Sequence, residues 1–67
     1  MKPLKPKDLR ELSDEELIQK YRELKKELFE MRIKHKFGQL ENTAAIRITR
    51  RNIARVLTIL NERGIKL

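Results

Sequence analysis

The chain has no cysteine, and its 67 residues include one histidine, two glycines, two prolines, one tyrosine, two phenylalanines and no tryptophan. Without cysteine there is neither a disulfide framework nor a thiolate zinc site, and one histidine among scattered carboxylates completes no metal cage. No metal and no cofactor is expected, and a reducing cytoplasm is the natural setting. The few aromatic side chains weigh against recognition of single strands by stacked bases. Tyr21 is read as core, Phe29 as cover for a flank, and Phe37 as a neighbour of a turn. Long apolar runs are missing too: no stretch approaches the roughly 18 residues needed to span a bilayer, and the Lys/Pro segment Met1–Lys7 lacks the apolar region of a signal peptide. The expectation is a soluble protein. With isolated glycines there is no phosphate-cradling loop, and with no Cys nucleophile and no motif companion for His35 nothing points to an enzyme.

Acid is scarce in one half only. Residues 1–30 carry eight basic and eight acidic side chains, whereas 31–67 carry nine basic and two acidic, which accounts for the net charge of +7. Between Thr43 and Asn61 stand Arg47, Arg50, Arg51 and Arg55 with no Asp or Glu. Internal acids cannot neutralise that run, so a polyanionic partner is expected.

The apolar residues are spaced for helices. Residues 1–6 form a basic tail, kept extended by Pro3 and Pro6, and 7–12 make a short helix with Leu9 and Leu12 on one side. Ser13 as N-cap, Glu16 as its capping-box partner and a Leu12/Leu17 staple start a long helix over 14–36. Along it Leu17, Tyr21, Leu24, Leu28, Met31 and His35 recur at steps of four and three, a seam for packing, widened by Ile18. His35 is read as a packing or capping residue. The opposite side, with Glu16, Lys20, Glu23, Lys26, Glu27, Glu30 and Lys34, is read as solvated. Gly38 breaks the period within a turn over 37–42, and a second long helix follows over 43–63, with Ile46, Thr49, Ile53, Val56 and Leu60 as its apolar face and Gly64 as its stop. Two rods of matched length with a short loop fold antiparallel. The predicted fold is all-α: one domain over 1–67, a long antiparallel two-helix hairpin with a short N-terminal helix.

At about 100° per residue, Arg47, Arg50, Arg51 and Arg55 fall within an arc of roughly 140°, away from Ile46, Ile53, Val56 and Leu60. Guanidinium groups keep their charge and offer forked donors that match phosphate oxygens. Arg32, Lys34 and Lys36 close the preceding helix, where they complement its dipole and also extend a basic region across the turn, with Gln39 and Asn42 as neutral hydrogen-bonding groups. Such a surface suits a folded RNA backbone, read by shape and phosphate position.

The turn and second long helix carry more than charge. Gly38-Gln39-Leu40-Glu41-Asn42, then Ile46, then Arg50-Arg51-Asn52-Ile53-Ala54-Arg55-Val56 resemble the signature of the bacterial-type family of large-ribosomal-subunit protein twenty-nine. Leu28-Phe29-Glu30-Met31-Arg32 and Leu9-Arg10-Glu11-Leu12-Ser13 are similar to the family's long-helix end and its opening, with Met31 where leucine is usual. The resemblance implies a structural constituent of the cytoplasmic ribosome that binds large-subunit ribosomal RNA near the peptide exit tunnel. It further implies a place beside ribosomal protein twenty-three and within the docking area for nascent-chain factors. It makes Gln39, Asn42, Arg50, Arg51 and Arg55 RNA contacts, to which charge placement adds Arg32, Lys34, Lys36 and Arg47.

Two other readings compete. In a protein-interaction coiled coil, two chains would pair through the same seams and the arginines would serve solubility; the hairpin instead predicts a free monomer. In a membrane-surface helix the seams would meet lipid, but they are already needed by each other and interfacial aromatics are few.

Overall fold

The computed structural model of the chain describes residues 3–67; Met1 and Lys2, the start of the expected basic tail, lie outside the described residues. Three helices follow in order, α1 (Pro6–Arg10), α2 (Asp14–Lys36) and α3 (Ala44–Glu62), with no strand among the described residues. The fold is the all-helical hairpin that the spacing predicts.

α1 begins one residue earlier than Lys7 and ends two before Leu12. Pro6 occupies its first turn, where a missing amide proton is no loss and the fixed φ suits a helix. The chain then tightens, Glu11 N–H bonding to Asp8 O and Leu12 N–H to Leu9 O, before Ser13 turns extended and restarts helix geometry. Ser13 Oγ accepts the Glu16 amide proton at 3.2 Å and donates to Glu16 Oε1 at 3.1 Å. The glutamate thus meets the cap's hydroxyl, where a reciprocal capping box would take its backbone N–H.

α2 ends in a Schellman arrangement. Gly38, at φ +70°, donates to His35 O and Gln39 to Lys34 O, which satisfies carbonyls the helix leaves open. α3 starts at Ala44, one residue after the expected Thr43, whose backbone is already αR; Asn42 Oδ1 accepts the Ala44 amide proton at 3.0 Å, and Thr43 makes no side-chain cap. Its far end repeats the motif: Gly64 donates to Asn61 O and Ile65 to Leu60 O, and Ile65 is thereby returned onto the core.

The core joins Leu17, Leu24 and Leu28 of α2 to Ile53, Val56, Ile59 and Leu60 of α3, with Leu9 of α1 at one end. α2 packs along α3, and α1 packs against α3 as well. Near the turn the seam thins. Met31 is half-buried and His35 is exposed, so the expected packing role of His35 is not realised, whereas Tyr21, in the first half of α2, is half-buried against the core. Met31 is the last seam residue held, its Sδ 3.5 Å from the Thr49 hydroxyl. Phe29 does not cover a flank, being 66% exposed.

The leader is not a free tail. Leu4 is half-buried against the core, and its amide donates to Asn52 Oδ1 at 2.8 Å, a contact spanning 48 positions. At the open end Arg63 donates to Asp14 Oδ1 at 2.8 Å and to Arg10 O at 2.9 Å, and Arg10 meets Glu62 Oε1 at 3.3 Å. One arginine therefore clasps the ends of all three helices.

Candidate nucleic-acid interface

α3 divides its residues by side. Thr49, Asn52, Ile53, Val56, Ile59 and Leu60 are buried, whereas Arg47, Arg50 and Arg51 are exposed and Arg55 is half-buried at the boundary. The division follows from the helical wheel: at about 100° per residue, Arg47, Arg50 and Arg51 lie roughly 120° or more from the centre of the sector that holds Thr49, Asn52, Ile53, Val56, Ile59 and Leu60. The helix is held rigidly by its apolar side, so the guanidinium groups project from a fixed rod.

Arg47, Arg50 and Arg51 surround a shallow concavity of about 420 Å³ whose remaining lining is Ile46 and Ala54. Its floor is apolar and its rim cationic. Arg55 stands one turn from Arg51, its Nη1 3.5 Å from Asn52 Oδ1, at the outer limit of a hydrogen bond. None of these four arginines makes an ion pair among the described residues. The pairs present, Arg10–Glu62 and Arg63–Asp14, lie at the opposite end of the hairpin. The charge that the sequence leaves unneutralised is thus also unneutralised in space.

The other expected contact residues are exposed but differently occupied. Lys34 and Lys36 stand in the last turn of α2, where cations complement the carbonyl end of the helix. Arg32, Lys34 and Lys36 do not line the concavity. Gln39 is exposed in the turn, with its backbone spent on the cap. Asn42 commits its carbonyl oxygen to starting α3, and its amide donors face solvent. Three arginines therefore share one feature, Arg55 adjoins it, and the remaining five residues ring the turn without converging on it.

The residue that sequence reading passed over is Asn52. It stands between Arg51 and Ile53 in the arginine run but is 1% exposed and binds the leader. Its position one step from Ile53, at the rim of the apolar face, is the only local sign of that role.

Among the described residues no cluster of His, Asp or Glu is placed to hold a metal ion, and no helix is long and apolar enough to cross a membrane.

Comparison with known proteins gives the family. The family model described as "Ribosomal L29 protein" matches residues 7–63. Among curated relatives, the "Large ribosomal subunit protein uL29" of Cutibacterium acnes is 52% identical over 67 residues, covering 100% of this chain and 87% of the relative. The protein of the same name from Rubrobacter xylanophilus is 52% identical over 63 residues, 94% of each chain. That from Sulfurihydrogenibium sp. is 53% identical over 60 residues, 90% of each chain.

Proposed function

The chain belongs to the ribosomal L29 protein family, and on that premise we propose that it binds large-subunit ribosomal RNA through the arginine face of α3. As a family member it is a structural constituent of the large subunit in the cytoplasmic ribosome and not an enzyme. The observation that carries the RNA reading is the trio Arg47, Arg50 and Arg51 around an apolar-floored concavity, with no acid on the helix near them and no ion pair. Forked donors on a rigid rod neutralise phosphates without rearranging, and the shallow floor accepts a ribose edge. Arg55 extends the face by a turn. Arg32, Lys34, Lys36, Gln39 and Asn42 supply peripheral contacts around the loop, with Asn42 donating through its amide group.

The residues shared with the family further support a position near the peptide exit tunnel, beside ribosomal protein twenty-three and within reach of nascent-chain factors. The whole of 1–67 then acts as one domain, a monomer before assembly, because the seams of α2 and α3 are occupied by each other.

The test is binding to purified large-subunit ribosomal RNA across a salt series. Each neutralised phosphate contributes a slope of about −0.7 to −0.9 in log K against log salt, so the trio and Arg55 together predict a slope near −3. Arg51→Glu should flatten that slope and weaken binding throughout. A slope near zero for the unaltered protein would defeat the proposal. Crosslinking within purified ribosomes reports the neighbours, and a stable dimer in analytical ultracentrifugation at micromolar concentration would instead favour the coiled-coil reading.

A further inference from the structure

α2 carries a second cationic surface that the arginine face of α3 does not account for. At about 100° per residue, Arg22, Lys25, Lys26, Arg32 and Lys36 lie within roughly 120° of one another, and all five are exposed. Over residues 18–37 that sector contains no Asp or Glu; the glutamates at 23, 27 and 30 occupy the next sector. The solvent side of α2 therefore has a sector of cations without acids beside a mixed one, where Glu16, Glu23, Glu27 and Glu30 alternate with Lys20 and Lys34, and Lys26 belongs to the first. None of the five makes an ion pair among the described residues.

Phe29 and Ile33 lie within that sector and Phe37, the residue that ends α2, lies at its edge; the three are 66%, 43% and 68% exposed. A single exposed phenylalanine is unremarkable, but two rings and an isoleucine in line on a small protein mark a contact surface. The centre of a protein–protein contact is depleted of charge. Here a cation flanks every apolar residue: Lys25 and Lys26 before Phe29, Arg32 between Phe29 and Ile33, Lys36 beside Phe37. Cations interleaved with open aromatic faces are what an unpaired nucleic-acid strand requires, phosphates meeting the charges and bases stacking on the rings.

We propose that this ridge of α2 holds an unpaired segment of large-subunit ribosomal RNA, with bases stacked on Phe29 and Phe37. The inference rests on the RNA reading above and adds a second surface of different chemistry, which grips single strands where α3 grips phosphates by position. The rings are eight residues and about 12 Å apart along the helix, so they take two bases that are not adjacent in the strand. This proposal departs from the sequence-based expectation against stacking, which read Phe29 as cover for a flank that the fold does not provide and set Phe37 beside the turn, where it stands exposed.

The experiment uses two probes of equal length, a single-stranded RNA containing 2-aminopurine and a fully paired RNA duplex, against the full chain, F29A/F37A, F29W/F37W and R51E. Both rings are exposed, so F29A/F37A should keep the circular dichroism spectrum and melting temperature of the parent. Single-strand affinity should fall about tenfold or more in F29A/F37A and recover in F29W/F37W, with 2-aminopurine fluorescence quenched only where rings are present. Duplex affinity should be unchanged by F29A/F37A and reduced by R51E. Single-strand affinity unaffected by F29A/F37A, with duplex binding still sensitive to R51E, overturns the ridge alone; duplex binding insensitive to R51E overturns the underlying RNA reading. In assembled large subunits, p-benzoylphenylalanine in place of Phe29 should crosslink to RNA. A crosslink to protein, or none, overturns the proposal.

Discussion

Asn52 is the polar residue on which the leader depends. Its Oδ1 accepts the Leu4 amide proton at 2.8 Å inside an otherwise apolar patch, with Arg55 Nη1 on its other side. Replacing it by alanine leaves a partly buried N–H without an acceptor, which costs about 1–2 kcal/mol. Asn52→Ala should therefore lower unfolding stability in urea by that amount and speed hydrogen exchange at the Leu4 amide, while leaving α2 and α3 helical. An unchanged Leu4 exchange rate would show that the leader is held by apolar contact alone. Beyond the place of Asn52 at the rim of the apolar face, the local pattern does not announce this bond, since its partners are 48 positions apart and prolines at 3 and 6 describe an extended segment equally well in solvent or against a helix. The four arginines were legible for the opposite reason: each is placed by its own register on α3, and the register is visible in the spacing of Ile46, Ile53, Val56 and Leu60.

Helix ends show the same distinction between local and distant causes. α2 spans Asp14–Lys36 as the sequence implies, because Ser13, Glu16 and Gly38 lie within a few residues of the bonds they make. α1 and α3 depart by one or two residues: Pro6 admits an earlier start of α1, and at the start of α3 the capping side chain is Asn42, with Thr43 making no side-chain cap. The packing read for His35 fails because periodicity gives the side of a helix but not how far its partner extends along it, and near the turn the seam is no longer covered. Phe29 is exposed for another reason: it lies off the seam, beside buried Leu28 but turned to the solvent side of α2. The Schellman end of α2 offers a clean measurement. Gly38 sits at φ +70°, and a Cβ added there would meet nothing within 4 Å, so Gly38→Ala incurs only the left-handed backbone penalty. That penalty is about 1 kcal/mol, or a fall in melting temperature of about 4–8 °C for a domain of this size. A loss several times larger would mean that the turn makes contacts beyond its own two hydrogen bonds.

The described residues measure 39 × 20 × 14 Å, and their buried apolar side chains form a strip between α2 and α3, closed at one end by Leu9 of α1 and the leader. A chain this short buries a smaller fraction of its surface than a larger domain, and its stability is correspondingly modest. It also carries uncompensated positive charge on two helices, and self-repulsion among those groups opposes compactness. A polyanion removes that repulsion and binds the folded form preferentially, because only the folded chain presents Arg47, Arg50 and Arg51 as one surface. By mass action, large-subunit ribosomal RNA at 100 times its dissociation constant should stabilise the protein by about 2.7 kcal/mol, which corresponds to a rise in melting temperature of roughly 10–20 °C. Arg51→Glu should leave the free protein's melting temperature nearly unchanged, since Arg51 is exposed and makes no ion pair, yet reduce the RNA-induced rise at the same RNA concentration. Equal rises in the two proteins would mean that the stabilising contacts lie elsewhere on the surface, and a lower melting temperature for free Arg51→Glu would mean that the guanidinium group serves the fold itself.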